Sequence, residues 1–188
     1  MGDITSINFR LDAVFPGPFG PFNLPNVQID MSITPVAPEN PSLTFADNLG
    51  PAVNTVYQGD IIINLPQCTV NPCPFDMMIP LEVPFPYNPS EGNLIVDFRV
   101  PNCIDFSVFA FDSDDSIPTT VMNRVFTTVP DGVDDPTGVS DGDIGLVTQF
   151  VIVPQINVPT LSEWGLIAMA GALGIVGFVV IRRKSATA

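Results

Sequence analysis

The sequence predicts an all-β domain, an antiparallel jelly-roll-like β-sandwich, followed by one C-terminal transmembrane helix. Three observations carry this expectation. Short apolar runs with partial two-residue alternation recur through residues 1–153, the pattern of half-buried strands. Proline (21) and glycine (14) are plentiful and fall between those runs, as they do where an all-β chain turns. Residues 165–181 then form an uncharged apolar stretch of 17 residues, closed by Arg182, Arg183 and Lys184.

The strand candidates, in order, are residues 4–14, 26–33, 55–65, 75–83, 93–100, 104–111, 121–129 and 144–153. In the fifth, Leu94, Val96 and Phe98 alternate with Ile95, Asp97 and Arg99; in the sixth, Ile104, Phe106, Val108 and Ala110 alternate with Asp105, Ser107 and Phe109. One side of each strand should therefore face a core, with Phe98, Phe106 and Phe126 inside it. No segment before Trp164 shows a helical period, and no internal repeat is evident. Eight short strands with proline-rich turns argue for two packed antiparallel sheets. A chain of 188 residues is about one domain and folds without a metal or cofactor. The expected organisation is an extracytoplasmic β-domain over 1–153, a linker over 154–164, the membrane helix over 165–181 and a basic cytoplasmic tail over 182–188.

Charge is sparse and one-sided. All 20 acids lie at or before Glu163, where only Arg10, Arg99 and Arg124 oppose them, giving residues 1–163 a net charge of −17. Such a surface repels phosphate backbones, which excludes nucleic acid as a partner. Histidine is absent and the only lysine is Lys184. The commonest general base, the commonest metal ligand and the Schiff-base amine are thus missing from the domain, and the expectation is a protein that is not an enzyme. Paired carboxylates of the glycosidase kind are not singled out by spacing, and one Trp with two Tyr leaves little for sugar stacking.

Cys68 and Cys73 bracket Thr-Val-Asn-Pro between two strand candidates, and Cys103 stands apart. Three thiols without histidine make a poor zinc site. In an exported chain a disulfide is the better reading, with Cys68–Cys73 favoured and Cys68–Cys103 or Cys73–Cys103 as the alternatives. Two acidic clusters are candidates for calcium: Asp112, Asp114 and Asp115, and the larger set Asp131, Asp134, Asp135, Asp141 and Asp143. Calcium needs six to eight oxygens, neither cluster follows the EF-hand order, and Asp-Gly pairs are common turn formers. Calcium is therefore the weaker reading of both, and no other cofactor is implied.

At ~1.5 Å per residue, residues 165–181 span about 25 Å as a helix, slightly short of a ~30 Å hydrocarbon core. Trp164 at one interface and the three cations at the other make up the difference. The cations place the C-terminus in the cytoplasm and residues 1–163 outside. Ala168, Gly171, Gly174 and Gly177 recur every three residues, a strip along which another membrane helix can approach. The same glycines lie inside the apolar stretch and do not form a phosphate loop.

Val158-Pro159-Thr160-Leu161, two further residues, then Trp164-Gly165, the apolar stretch and the basic end together resemble the IPTL-CTERM signal, a variant of the bacterial PEP-CTERM sorting signals. Val158 replaces the usual isoleucine. The resemblance implies recognition by an exosortase, an integral-membrane cysteine transpeptidase or protease, which cuts near the motif and passes the ectodomain to the cell surface or extracellular matrix. Pro159 keeps the preceding residue extended, a form a protease can read. Cleavage would make the helix a temporary address in the bacterial membrane. Met1-Gly2-Asp3-Ile4-Thr5 is unlike an export signal, so the expectation is that the natural protein starts further upstream.

Asn26-Val27-Gln28-Ile29, Thr44-Phe45-Ala46-Asp47-Asn48, Phe75-Asp76-Met77-Met78-Ile79-Pro80-Leu81, Tyr87-Asn88-Pro89, Gly92-Asn93-Leu94 and Gly145-Leu146-Val147-Thr148-Gln149-Phe150 resemble a family of exported PEP-CTERM-type proteins of unknown function. That resemblance implies a fold and a location and no activity. The expected function is non-catalytic structural cargo delivered by a sorting enzyme. The alternative is a surface carbohydrate- or ligand-binding module, with calcium as the candidate aid, for which Tyr57, Tyr87 and Phe109 are the aromatic candidates and surface polysaccharide the partner.

Overall fold

Runs rich in isoleucine and valine become strands because branched side chains fit a pleated, half-buried surface. The computed structural model describes residues 1–14, 17–101, 111–114, 121–127, 132–140, 145–155, 165, 167–173 and 175. The elements are β1 (Gly2–Phe9), β2 (Phe19–Thr34), the one-turn helix α1 (Phe45–Asn48), β3 (Asn54–Leu65), β4 (Met77–Tyr87), β5 (Asn93–Arg99), β6 (Ser113–Asp114), β7 (Val125–Phe126), β8 (Val139–Ser140), β9 (Gly145–Leu146) and β10 (Thr148–Pro154), with a 3-10 turn at Gly132–Asp134. The chain divides into two units, Met1–Gln155 and Ile156–Ala188.

Two three-stranded antiparallel sheets dominate the first unit, in the orders β10-β1-β4 and β3-β2-β5. The pairs β6–β9 and β7–β8 are short antiparallel additions. Both main sheets feed one apolar cluster. Ile4 and Ile7 enter it from β1, Val27, Ile29 and Met31 from β2, Val56, Ile61 and Ile63 from β3, and Ile79 and Phe85 from β4. The described residues of 1–155 are therefore mostly antiparallel β, consistent with the all-β expectation.

The strand ends depart from the sequence reading where prolines sit. Residues 19–25 read as a turn because of Gly20, Pro21 and Pro25, yet they form the first half of the 16-residue strand β2. The β2–β3 register breaks between Phe19 and Phe22, between Leu24 and Val27, and between Ile29 and Asp30. The first two breaks fall at Pro21 and Pro25, so the chain bulges where a ladder N–H is missing. Asn26 takes the left-handed conformation (φ 55°), which asparagine tolerates better than most residues. Its N–H donates to Asp60 Oδ1 at 2.9 Å.

β2 is buried on both faces at its C-terminal half. Asp30, Ser32 and Thr34 point away from the apolar cluster and are buried too. Each has a partner, as burial of polar groups demands. Asp30 accepts from the Thr55 hydroxyl (2.6 Å) and the Gln28 amide (2.8 Å). Ser32 Oγ accepts the Gly50 N–H at 3.0 Å, and Thr34 Oγ1 accepts the Val36 N–H at 3.1 Å. The close approach of Gly50 requires glycine, since a Cβ there would collide with the Ile33 carbonyl. Asn48 on α1 folds back onto its own loop, accepting from Ser42 N–H (2.8 Å) and donating to the Ser42 (2.7 Å) and Thr44 (3.2 Å) carbonyls.

The expected aromatic core is corrected. Phe98 is 40% exposed, with β5 at the edge of its sheet among the described residues; its ring meets Phe9 edge-on at 5.8 Å. Phe126 is half-buried, with the Arg124 guanidinium 4.9 Å above its ring. Phe106 lies outside the described residues. The fully buried side chains are instead Ile4, Ile7, Ile29, Met31, Val27 and Val56. Of the expected strand at 104–111 only Phe111 is described, where it bridges Leu11, and within the described part of the expected strand at 121–129, residues 121–127, the strand is β7.

Candidate functional site: the C-terminal sorting segment and what leads to it

The approach to the segment is β10. Seven residues of β10 pair with β1, from Phe9 opposite Thr148 to Gly2 opposite Pro154. Both ladders of β1 skip at Thr5, whose hydroxyl donates to the Val151 carbonyl at 3.3 Å. Asn8 donates to Gln149 Oε1 at 2.9 Å, and Gln155 Nε2 donates to Asp3 Oδ1 at 2.8 Å. The domain is thus stitched to its last residue, and only Ile156 and Asn157 separate Gln155 from Val158.

Val158, Pro159, Thr160, Leu161, Trp164 and the basic residues Arg182, Arg183 and Lys184 lie outside the described residues. Gly165 is described, and with residues 167–173 and 175 it is helical. The side chains of Ile167, Met169, Leu173 and Ile175 are 60%, 50%, 68% and 67% exposed. A Cβ added at Gly171 would meet nothing within 4 Å. Among the described residues no helix is long and apolar enough to cross a membrane.

Comparison with known families decides the nature of this segment. Residues 158–183 match the IPTL-CTERM motif. They constitute a PEP-CTERM-like C-terminal sorting signal, the kind of signal that implies recognition by an exosortase-type processing enzyme. No curated protein and no solved structure matches the chain.

The remaining candidate residues are distributed through the first unit. Cys68 and Cys73 are joined in a disulfide, with Cα atoms 5.7 Å apart. Both sulfurs sit in the apolar cluster. The bridge closes the loop 66–76, where the chain leaves β3 in one sheet for β4 in the other. Cys103 lies outside the described residues.

Of the larger acidic set, Asp131, Asp141 and Asp143 lie outside the described residues. Asp134 ends the 3-10 turn, and Asp135 accepts a long 3.5 Å hydrogen bond from Thr127. In the smaller set Asp112 is engaged by Arg10 at 2.6 Å, Asp114 belongs to β6, and Asp115 lies outside the described residues. No group of three or more metal-ligating side chains occurs among the described residues.

Sequence reasoning did not anticipate two charge arrangements. Arg10 lies between Asp112 and the Phe75 ring, 5.1 Å from its centroid. Asp30 and Asp97 face each other on β2 and β5, and Arg99 bridges them at 3.8 Å and 3.1 Å. A signal was present: three cations among 20 acids must each have several acids competing for them. Tyr57 donates its hydroxyl to the Asp60 carbonyl at 2.8 Å. Partial burial, then Glu82 and Asp60, push its hydroxyl pKa above the ordinary 10.0. Tyr57 and Tyr87 both pack against the core cluster and belong to different sheets; Phe109 lies outside the described residues. A cleft of about 1670 Å³ opens beside β5, with Phe98, Arg99, Arg124 and Phe126 on its walls.

Proposed function

We propose that the chain is an exported, non-catalytic structural protein of the bacterial cell surface or extracellular matrix, and that a membrane-embedded exosortase-type transpeptidase or protease releases it from a C-terminal anchor. The observation that carries this reading is the sorting motif at 158–183, set immediately after a domain that ends at Gln155. Residues 165–181 are the anchor. Their uncharged sequence, the helical backbone at the described positions and the bare apolar side chains there support insertion, because exposed large apolar groups in a row need a lipid or protein cover. Arg182, Arg183 and Lys184 hold the tail in the cytoplasm.

The non-catalytic reading rests on side-chain chemistry. Histidine is absent, and the carboxylates of Asp30, Asp97 and Asp112 are occupied by arginines. The two sheets are read as a sandwich of jelly-roll type, which antiparallel pairing throughout and a shared apolar cluster support. A second reading, a surface module for a polysaccharide or other ligand, is favoured by the cleft beside β5, whose walls include Arg99, Arg124, Phe98 and Phe126. Soluble glycans that shift the amide exchange of β5 would support that module.

Mass spectrometry of the surface fraction from an exosortase-bearing host tests the sorting reading. Peptides ending between Val158 and Trp164, with no trace of residues 182–188, are expected. An intact tail in the membrane fraction refutes processing and leaves a single-span anchored ectodomain.

A further inference from the structure

The two main sheets have four edge strands among the described residues, and three of them carry guards. β4 has Pro80, Pro84 and Pro86 together with Glu82, β3 has Asp60 and a broken register with β2, and β5 has Asp97 and Arg99. Prolines, inward or flanking charges and bulges are the devices that keep sheet edges from pairing with other chains. β10 carries no charge and no internal proline, and its ladder with β1 skips only once, at Thr5. Its sequence is Thr-Gln-Phe-Val-Ile-Val-Pro, with proline only at the last position. Val151, Ile152 and Val153 are 42%, 48% and 53% exposed. β10 is the outermost strand of its sheet among the described residues, so alternate N–H and C=O groups along it point outward.

We propose that β10 is a self-association edge, along which two copies of this chain pair antiparallel about a two-fold axis and join their β10-β1-β4 sheets into one. Charge selects the partner. A cationic partner would be drawn to the 20 acids of residues 1–163, opposed there by only three arginines, and would not single out this strand. Another copy is repelled by that same surface except where charge is missing, and residues 144–162 contain no charged residue at all. An antiparallel strand is its own complement under a two-fold axis, so both edges are satisfied at once and the assembly closes as a dimer. Seven residues of edge form a small contact, which belongs to the weak, transient class. The inference goes beyond the sorting reading and does not depend on it, because the pairing is intrinsic to the chain and is measured with no sorting enzyme present.

The test is sedimentation velocity on the full chain in detergent micelles up to about 100 μM, the range where weak contacts populate, with amide exchange on the same samples. A concentration-dependent dimer is expected, with protection rising in β10. Ile152→Lys and Val153→Lys should each weaken it at least about tenfold, because the axis brings the two new cations together. Val153→Thr, which keeps a β-branched side chain, should leave it intact. A monomer at every concentration overturns the proposal. So does a dimer that the lysine variants leave unchanged, which would place the contact elsewhere, or protection that rises in β3 or β5 and not in β10.

Discussion

Removing the Cys68–Cys73 bridge should lower stability by an amount that identifies the bridge. The two cysteines are five positions apart, and a loop that short restricts the unfolded chain by about 2 kcal/mol in the chain-entropy account. With a urea slope of about 2 kcal/mol per molar for a domain of this size, reduction should move the unfolding midpoint down by about 1 M. A bridge from Cys68 to Cys103 would close a loop of about 35 residues and contribute about 4 kcal/mol, moving the midpoint about twice as far. The assay is far-ultraviolet circular dichroism of the full chain in micelles through a urea series, with and without dithiothreitol. The C68A/C73A variant should be insensitive to dithiothreitol. It should also lie below reduced wild type, because it deletes two sulfurs packed in the apolar cluster, worth about 1 kcal/mol apiece. Alkylation before reduction should label Cys103 alone. The reasoning fails if wild type ignores dithiothreitol, if its midpoint falls by about 2 M, or if C68A/C73A still responds.

The Arg10–Asp112 pair, 2.6 Å apart with side chains 20% and 25% exposed, is largely withdrawn from water. Arg10→Met should cost about 2 kcal/mol by stranding the carboxylate, and Arg10→Met/Asp112→Leu should recover most of it; additive losses in urea unfolding would contradict this. Burial, with Glu82 and Asp60 behind it, raises the Tyr57 hydroxyl pKa above 10.0, so the unfolded chain gives up this proton first. Stability should therefore fall as pH climbs from about 9 towards 11, and fall less steeply in Tyr57→Phe. Equal slopes for the two proteins would show that the raised tyrosine does not govern the loss.

The legible parts of this molecule were those fixed by local pattern. Thr55 to Leu65 and Asn93 to Arg99 are apolar-rich runs with partial alternation bounded by turn residues, so their strands emerge almost where the pattern puts them. The sorting motif was legible for a different reason: a recogniser reads it as a linear peptide, so its information is in the sequence order. What hid was set by partners distant in sequence. Gly20, Pro21 and Pro25 announce a turn, but the long strand β3 lies alongside and the β2 ladder bulges around the prolines instead of stopping. Asp30, Ser32 and Thr34 read as a solvent face until residues 35–53 are seen to cover it, with Gly50 against Ser32. Phe98 obeys the alternation and still fails to be core, because burial depends on the sheet beyond its strand. Edge position is likewise a property of the assembled sheet. The run Phe150-Val151-Ile152-Val153 looks like any buried strand in the sequence, and only its place at the end of the order β10-β1-β4 turns it into a surface that can take a partner.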